Sequence, residues 1–569
     1  VSYHPPMLGT RHMCSAGHYL ASRAGFDILE AGGNAIDAGV AAAMSLAVLQ
    51  SDIVNVGGVA PMIIYLAERD EVVTISGLGT WPKKTDINMF IGPNGGAIPH
   101  GVLRSVVPAA PGAWTSALSK YGTMTFGEVA SASIKYARDG FSMHPTLQDS
   151  INNTQDQLRR WPANAAIYLP NDQVPEVGEN FVQSDLGKTL QYLADEEAST
   201  PGNREKGLEA ARRAFYEGDI ARAIVKYHEE NDGLMTAEDL SDFRVGHEAP
   251  VMRNYFGFDI YTCDAWCQGP VLLQIMSLLN EFDVKKMGHN SPDYIHTVLE
   301  AIKLAFADRE RYYGDPKFVD VPLDHLLSDD YIAERRAMID PDNAFPAMPP
   351  FGEVPGYSSG GSAPSAAVHG AAMIEYDTSY ACAIDANGNA FSVTPSDTSS
   401  STPIIPGTGL VASGRGSQNW AVPEHASCVA AGKRPRLTPN PAIAIKKGKV
   451  TMPFGTPGGD VQCQSMAQVF LNINEFGMTP QEAIEAPRFA TYSHPDSFEP
   501  HQAQPGKVKL ENRISRDTRT ELEKRGHVVE EWPELTRAAG AVCTIVHDRE
   551  KGRLFGGADP RRQSGMMGW

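Results

Sequence analysis

The sequence predicts a layered α+β body, on three observations. Segments with helical period and segments with strand character occur in both halves of the chain. Tight-turn signals join strand pairs near residues 377–396 and 541–562. No clean linker separates autonomous pieces of the 569 residues, although length alone would give about three or four domains of roughly 150 residues.

Taken in order, residues 19–50 read as alanine-rich helix for close packing. Gly32 and Gly33 end one helix and Asn34 caps the next. Residues 55–67 read as a glycine turn into a buried strand, and 108–140 as two helices split by Tyr121-Gly122-Thr123. The clearest helix is 291–313, with Ser291 as N-cap and Pro292 in its first turn. Its Ile295, Val298, Leu299, Ile302, Ala305 and Phe306 fall on one face, which predicts a core-facing stripe. Residues 341–370, rich in Pro, Gly, Ser and Ala and without a period, predict an exposed, mobile connection. Two alternating segments around Asn387-Gly388 then predict a hairpin, which places Thr378 at the start of a strand directly after that connection. Residues 451–464 read as strand, glycine turn and helix, and 541–562 as a hairpin ending in a loop.

Composition narrows the function. With 42% apolar and 21% charged residues the chain is globular, and its net charge of −19 (49 Lys+Arg against 68 Asp+Glu) disfavours a nucleic-acid partner. The field does not exclude an acidic substrate, since distant charge is screened over about 8 Å. No apolar run of the roughly 18 residues a span needs occurs, so no membrane span is expected. The N-terminus lacks a secretion signal, which predicts a cytoplasmic protein, or a periplasmic one if a leader has been removed; the chain begins without Met. Seven scattered cysteines read as plain thiols, including Cys263 and Cys267 of the C-x3-C pair.

The junction at 377–378 carries chemistry. A threonine hydroxyl is a weak nucleophile that needs a base. An N-terminal threonine supplies one, because its free α-amine, of pKa near 8, adjoins Oγ. Freeing that amine requires cutting the bond between Asp377 and Thr378, and a mobile segment ending at a rigid strand suits such a cut.

Eight ordered blocks resemble the gamma-glutamyltranspeptidase family over nearly the whole chain. They are AGGNAIDA, APGAWTSALSKYGTMTF, ARDGF, EAIKLAFADRERYYGDP, DTSYACAIDANGNAFSVT, GKRPRLTPNPAIAI, FGTPGGD and GGADPRR. The resemblance implies a four-layer αββα sandwich of the N-terminal-nucleophile hydrolase type. It implies autocatalytic cleavage into a large chain, 1–377, ending in the connection at 341–377, and a small chain, 378–569, intertwined in one domain. Thr378 matches the family's nucleophile and Ser396 its supporting hydroxyl. Gly458-Gly459 matches the paired glycines whose N–H groups face a developing oxyanion. By family habit the processed pair forms a homodimer. The implied partners are a small-molecule amide and a water or amine acceptor, with no cofactor and no metal.

The departures from the family pattern concern substrate. Thr398 stands where asparagine is common. Ile87 stands near the place of the carboxylate-binding arginine, and Arg104 lies at another position. Leu437 and Thr438 replace paired serines, and Ser417 or Gln418 replaces the acid that binds the α-amine. A zwitterionic glutamyl head would leave buried charge without partners, so an acyl group with one terminal acid or none fits better. Arg415 and Arg436 are the candidates for a single carboxylate.

Three other readings compete. Ser358 centres a G-x-S-x-G motif, but within a Pro/Gly/Ser stretch rather than between strand and helix. His12, Cys14 and His18 lie close together but match no zinc spacing. A non-catalytic or unprocessed member acting as a binding protein is the alternative on the same fold.

Overall fold

The computed structural model describes residues 2–92, 96–357 and 378–569. Two antiparallel sheets of seven strands face each other. The first runs, in spatial order, Gly565–Gly568, Met13–Ala16, Ala381–Ile384, Ala390–Val393, Met62–Leu66, Glu71–Ile75 and His247–Glu248. The second runs Met7–Gly9, Arg553–Ala558, Cys543–Asp548, Val450–Gly455, Ala442–Lys446, Phe258–Thr262 and Val251–Tyr255. Each sheet mixes strands from both sides of residue 378, so the expected large and small chains are interwoven.

Three apolar clusters define four layers. One lies between the sheets and holds Ile63, Tyr380, Cys382, Ile384, Ile443 and Ile545. A second joins the first sheet to the helices Tyr19–Glu30 and Ala35–Leu49. A third joins the second sheet to the helices Gly269–Leu279, Pro292–Tyr312 and Val461–Asn474. The central hairpin keeps its period of two: Cys382 and Ile384 point to the inter-sheet cluster while Ala381 and Ala383 point to the helical one. Both faces are apolar because both are covered, where alternation alone predicts one wet face.

The local signals hold at several boundaries. Asn34 forms a capping box with Asp37, and the hairpin turn has Gly388 at φ 82°. Asp385 ties that turn to the helical layer, accepting from Asn387 N and, through its other oxygen, from Ala35 N. The seven cysteines are free thiols. No helix among the described residues is long and apolar enough to cross a membrane.

The alanine-rich helix Ala35–Leu49 is buried all round and lies close on the sheet. A Cβ at Gly39 would sit 1.9 Å from a ring carbon of Phe391. Gly39→Ala gains about 1 kcal/mol of helix propensity. Overpacking a fully buried ring costs about 1–3 kcal/mol, at the upper end for so deep an overlap. The variant is therefore expected to be destabilised by about 1–2 kcal/mol, read as a lowered denaturation midpoint; an unchanged midpoint would show that the helix can lift from the sheet.

The apolar stripe of the helix after Ser291 is buried as expected, and the expected mobility of the connection after residue 341 is corrected. Helix Pro292–Tyr312 is buried around its circumference, polar side included. Residues 341–357 are irregular, as expected, but fastened along that polar side rather than free. Phe345 N donates to Glu300 and Phe345 O accepts from Lys303 Nζ, each at 2.9 Å. Gly352 N donates to Asp308 at 2.9 Å and Gly352 O accepts from the Tyr312 hydroxyl at 2.6 Å. The rest of the connection, with Ser358 and Asp377, lies outside the described residues.

Candidate active site

Thr378 is buried, three residues before the strand Ala381–Ile384. Its backbone N–H donates to the Ile53 carbonyl at 3.0 Å, and its carbonyl accepts from Arg562 Nη1 at 2.9 Å. Its φ is 95°, an outlier for a β-branched residue, fixed by partners on both sides.

Thr378 Oγ1 lies 2.6 Å from Ser396 Oγ. Ser396 is placed by an isolated antiparallel bridge to Val59, its N–H donating to Val59 O at 3.0 Å. Its hydroxyl oxygen also accepts from Arg415 Nη2. A guanidinium only donates, so Ser396 keeps its own proton and one lone pair for Thr378. Positive charge thereby reaches the two hydroxyls through one short bond.

Arg415 opens a short 3-10 turn, Arg415–Gln418, and is 1% exposed. Asp397 organises the turn: Ser413 Oγ donates to it at 2.6 Å, Gly414 N at 3.0 Å, and Arg415 Nε lies 3.7 Å away. The guanidinium carbon stands 5.7 Å from the Phe498 ring centre. Arg104 packs beneath the turn, its carbonyl 2.4 Å from where a Gly416 Cβ would lie. Its guanidinium donates to the carbonyls of Ile98 and Pro99. Ile87 packs in a separate apolar cluster with Trp81 and Phe90.

From Arg415 a polar chain crosses to the second sheet. Gln418 Oε1 is 3.5 Å from Arg415 Nη1, and Gln418 Nε2 donates to Thr438 Oγ1 at 2.9 Å. Gln268 Nε2 donates to the carbonyls of Thr438 and Gly459, both at 2.9 Å. Gly458 and Gly459 lie at φ 123° and 55°, conformations that favour glycine, just before helix Val461–Asn474. Their carbonyls accept the N–H groups of Val461 and Gln462. Their own N–H groups have no protein acceptor among the described residues.

The structure thus gathers Thr378, Ser396, Arg415, Gln418, Thr438 and Gly459 in one connected set. Two expected residues stand aside. The Ser417 hydroxyl donates to Gly414 O at 3.0 Å, closing the turn, and the Thr398 hydroxyl bonds Ser400 at 2.9 Å. Arg436 is corrected outright as a substrate group. It is 1% exposed and bound to Glu310 at 2.9 Å and to the Arg309 carbonyl at 3.2 Å. Burial alone would raise the Glu310 pKa, but Arg436 and Arg309 outweigh it and hold the carboxyl well below its usual range.

Ile53, Arg562, Asp397, Gln268 and Phe498 were missed in the sequence. Arg562 had a signal, as the last residue of GGADPRR. Gln268 had none, since only folding brings it to Gly459.

His12, Cys14 and His18 do not form a metal centre. His12 bonds Glu30 at 2.6 Å, Cys14 is a core residue, and the His18 ring caps the helix Tyr19–Glu30. Among the described residues, ligating atoms gather at His296, Glu300 and His527. Lys303 Nζ already lies 2.7 Å from Glu300 there, so an ammonium neutralises the carboxylate a cation would need.

Four layers around two facing antiparallel sheets place the fold in the N-terminal-nucleophile hydrolase class. The model of the Gamma-glutamyltranspeptidase family matches residues 21–569, and the chain belongs to that family, an enzyme family of hydrolases and transferases. It is 31% identical over 572 residues to the Glutathione hydrolase-like YwrD proenzyme of Bacillus subtilis (strain 168), covering 99% of each. It is 32% identical over 566 residues to the Acylase ACY 1 proenzyme of Pseudomonas sp. (strain V22), covering 97% of this chain and 92% of the relative. The crystal structure of cephalosporin acylase from Bacillus halodurans superposes with a TM-score of 0.86 at 27% identity, covering 100% of this chain and 98% of that one.

Proposed function

We propose that the protein cuts itself between Asp377 and Thr378 and then hydrolyses or transfers simple acyl groups from amides through an ester on Thr378. The observation that carries this reading is the Thr378–Ser396 hydroxyl pair, 2.6 Å apart, with Arg415 on its far side. The proenzyme names of the relatives support cleavage into two chains.

In the first reaction Thr378 Oγ attacks the Asp377 carbonyl carbon, and the C–N bond breaks to leave an ester and a free α-amine. Water then cleaves the ester, leaving the Asp377 carboxylate and restoring the hydroxyl. In the second, the α-amine takes the Oγ proton as Oγ bonds the substrate carbonyl carbon. The N–H groups of Gly458 and Gly459 receive the oxyanion. The leaving amine departs with the proton, and water or an amine attacks the ester. Reading Thr-Ser-Tyr-Ala as the N-terminus of the smaller chain tests the cut; its absence from active enzyme rejects it.

The acyl group follows from the charges around Arg415. A glutamyl α-ammonium needs a carboxylate, yet Asp397 is engaged by Ser413, Gly414 and Arg415, and Gln418 is neutral. An acyl chain with one terminal acid, or none, avoids an unpaired buried ammonium, which costs several kcal/mol. Glutaryl-p-nitroanilide is expected to show a kcat/KM at least about tenfold above γ-glutamyl-p-nitroanilide, about 1.4 kcal/mol in the barrier. A preference for the glutamyl compound would reject this assignment while leaving the self-cleavage untouched.

A further inference from the structure

Away from the Thr378 set, helix Ala110–Tyr121, helix Arg204–Tyr216 and strand His247–Glu248 enclose an open cavity of about 280 Å³. It shares no residue with the Thr378–Gly459 chain. Three cationic side chains line it, Lys120, Arg212 and Arg244, against one carboxylate, Glu209. In a chain of net charge −19 this is a local reversal of sign, and distant acids are screened within about 8 Å.

The cations are incompletely answered by the protein. Arg212 is 8% exposed. Its Nε and Nη2 are held by Glu209 and Glu217, but its buried Nη1 has no hydrogen-bond partner among the described residues. That nitrogen is closed to solvent and the guanidinium is answered by two carboxylates, so Arg212 forms part of the wall, and the cations open to a ligand are Lys120 and Arg244. Lys120 and Arg244 form no ion pair among the described residues; Arg244 Nη1 donates to the carbonyls of Ser241 and Phe243. The remaining wall is largely apolar, with Leu208, Phe243 and the face of Tyr216, whose hydroxyl is already bonded to Pro108 O at 2.8 Å.

We propose that this cavity is a second binding site, for a small carboxylate with an apolar body. Its head meets Lys120 and Arg244, and its body lies against Phe243 and Leu208. The volume is just under the usual range for drug-sized ligands, which fits a molecule of phenylacetate size. The head supplies the countercharge that Lys120 and Arg244 lack, and the body covers the apolar wall. This proposal does not rest on the reaction assigned to Thr378.

The test is calorimetric titration of the full protein with phenylacetate, its neutral analogue 2-phenylethanol, and inorganic phosphate. Phenylacetate is expected to bind saturably with a Kd of about 1 mM or tighter. Both controls should bind at least tenfold more weakly. Lys120→Gln/Arg244→Gln changes two exposed side chains, so its melting midpoint and its turnover at Thr378 should match the parent. Phenylacetate affinity should fall at least tenfold in that variant. Absence of saturable binding overturns the site. Undiminished binding to the variant places the probe elsewhere and overturns it too. Equal affinity for phenylethanol removes the anionic head from the proposal, and equal affinity for phosphate removes the apolar body.

Discussion

Thr378→Ala is expected to leave the polypeptide uncut and to lower kcat/KM for any amide by about 10⁴-fold or more, the scale on which removal of a nucleophile acts. The fold should survive. Thr378 sits at φ 95°, where a β-branched side chain is the more strained occupant, and alanine keeps the backbone bonds to Ile53 and Arg562. Intact-mass measurement of parent and variant reads both effects of the one hydroxyl. The parent should give two chains divided between 377 and 378, and the variant one. Thr378→Ser keeps an oxygen and should cut and turn over, more slowly. A cut in Thr378→Ala at the same bond would overturn both the nucleophile and the role of its freed amine.

What the sequence made legible was whatever depends on neighbours along the chain. Asn34 reads as a cap because its partner Asp37 is three residues on, and the Gly388 turn declares itself between two apolar runs. Gly458 and Gly459 stand out because their φ values exclude most other residues. Long-range partners gave no such signal. Only the apolar stripe of helix Pro292–Tyr312 reads as core-facing, yet Glu300, Lys303 and Asp308 are buried too and meet residues 341–357. A stripe of charges looks the same in sequence whether it faces water or countercharge. The same blindness separated Arg415 from Arg436. Both are buried arginines on the C-terminal side of residue 378, but Glu310 answers Arg436 whereas Arg415 reaches Ser396. Glu310 lies 126 residues from Arg436, so only the fold decides between them.

That difference makes Arg415 the site of the second large effect. Arg415→Met removes the donor to Ser396 and takes a cation from beside Asp397, 1% exposed. Breaking a buried pair from one side costs about 3–5 kcal/mol, so the single variant should melt markedly lower and its turnover alone would decide nothing. Adding Asp397→Asn removes the buried charge on the other side of the pair while keeping an acceptor for Ser413 and Gly414. The double variant should therefore regain most of the lost stability. Its kcat should nonetheless stay about 10²–10³-fold below the parent, the loss that follows when one preorganised donor is taken from developing charge, about 2.7–4 kcal/mol. Arg415→Lys keeps the charge but not the planar fork that serves Ser396 and Gln418 together, and should fall between the two. Melting midpoint and kcat, measured on all three variants, separate support of the fold from support of the hydroxyl pair. If the double variant recovers both, Arg415 only balances Asp397, and the charge beside Thr378 has no part in the chemistry.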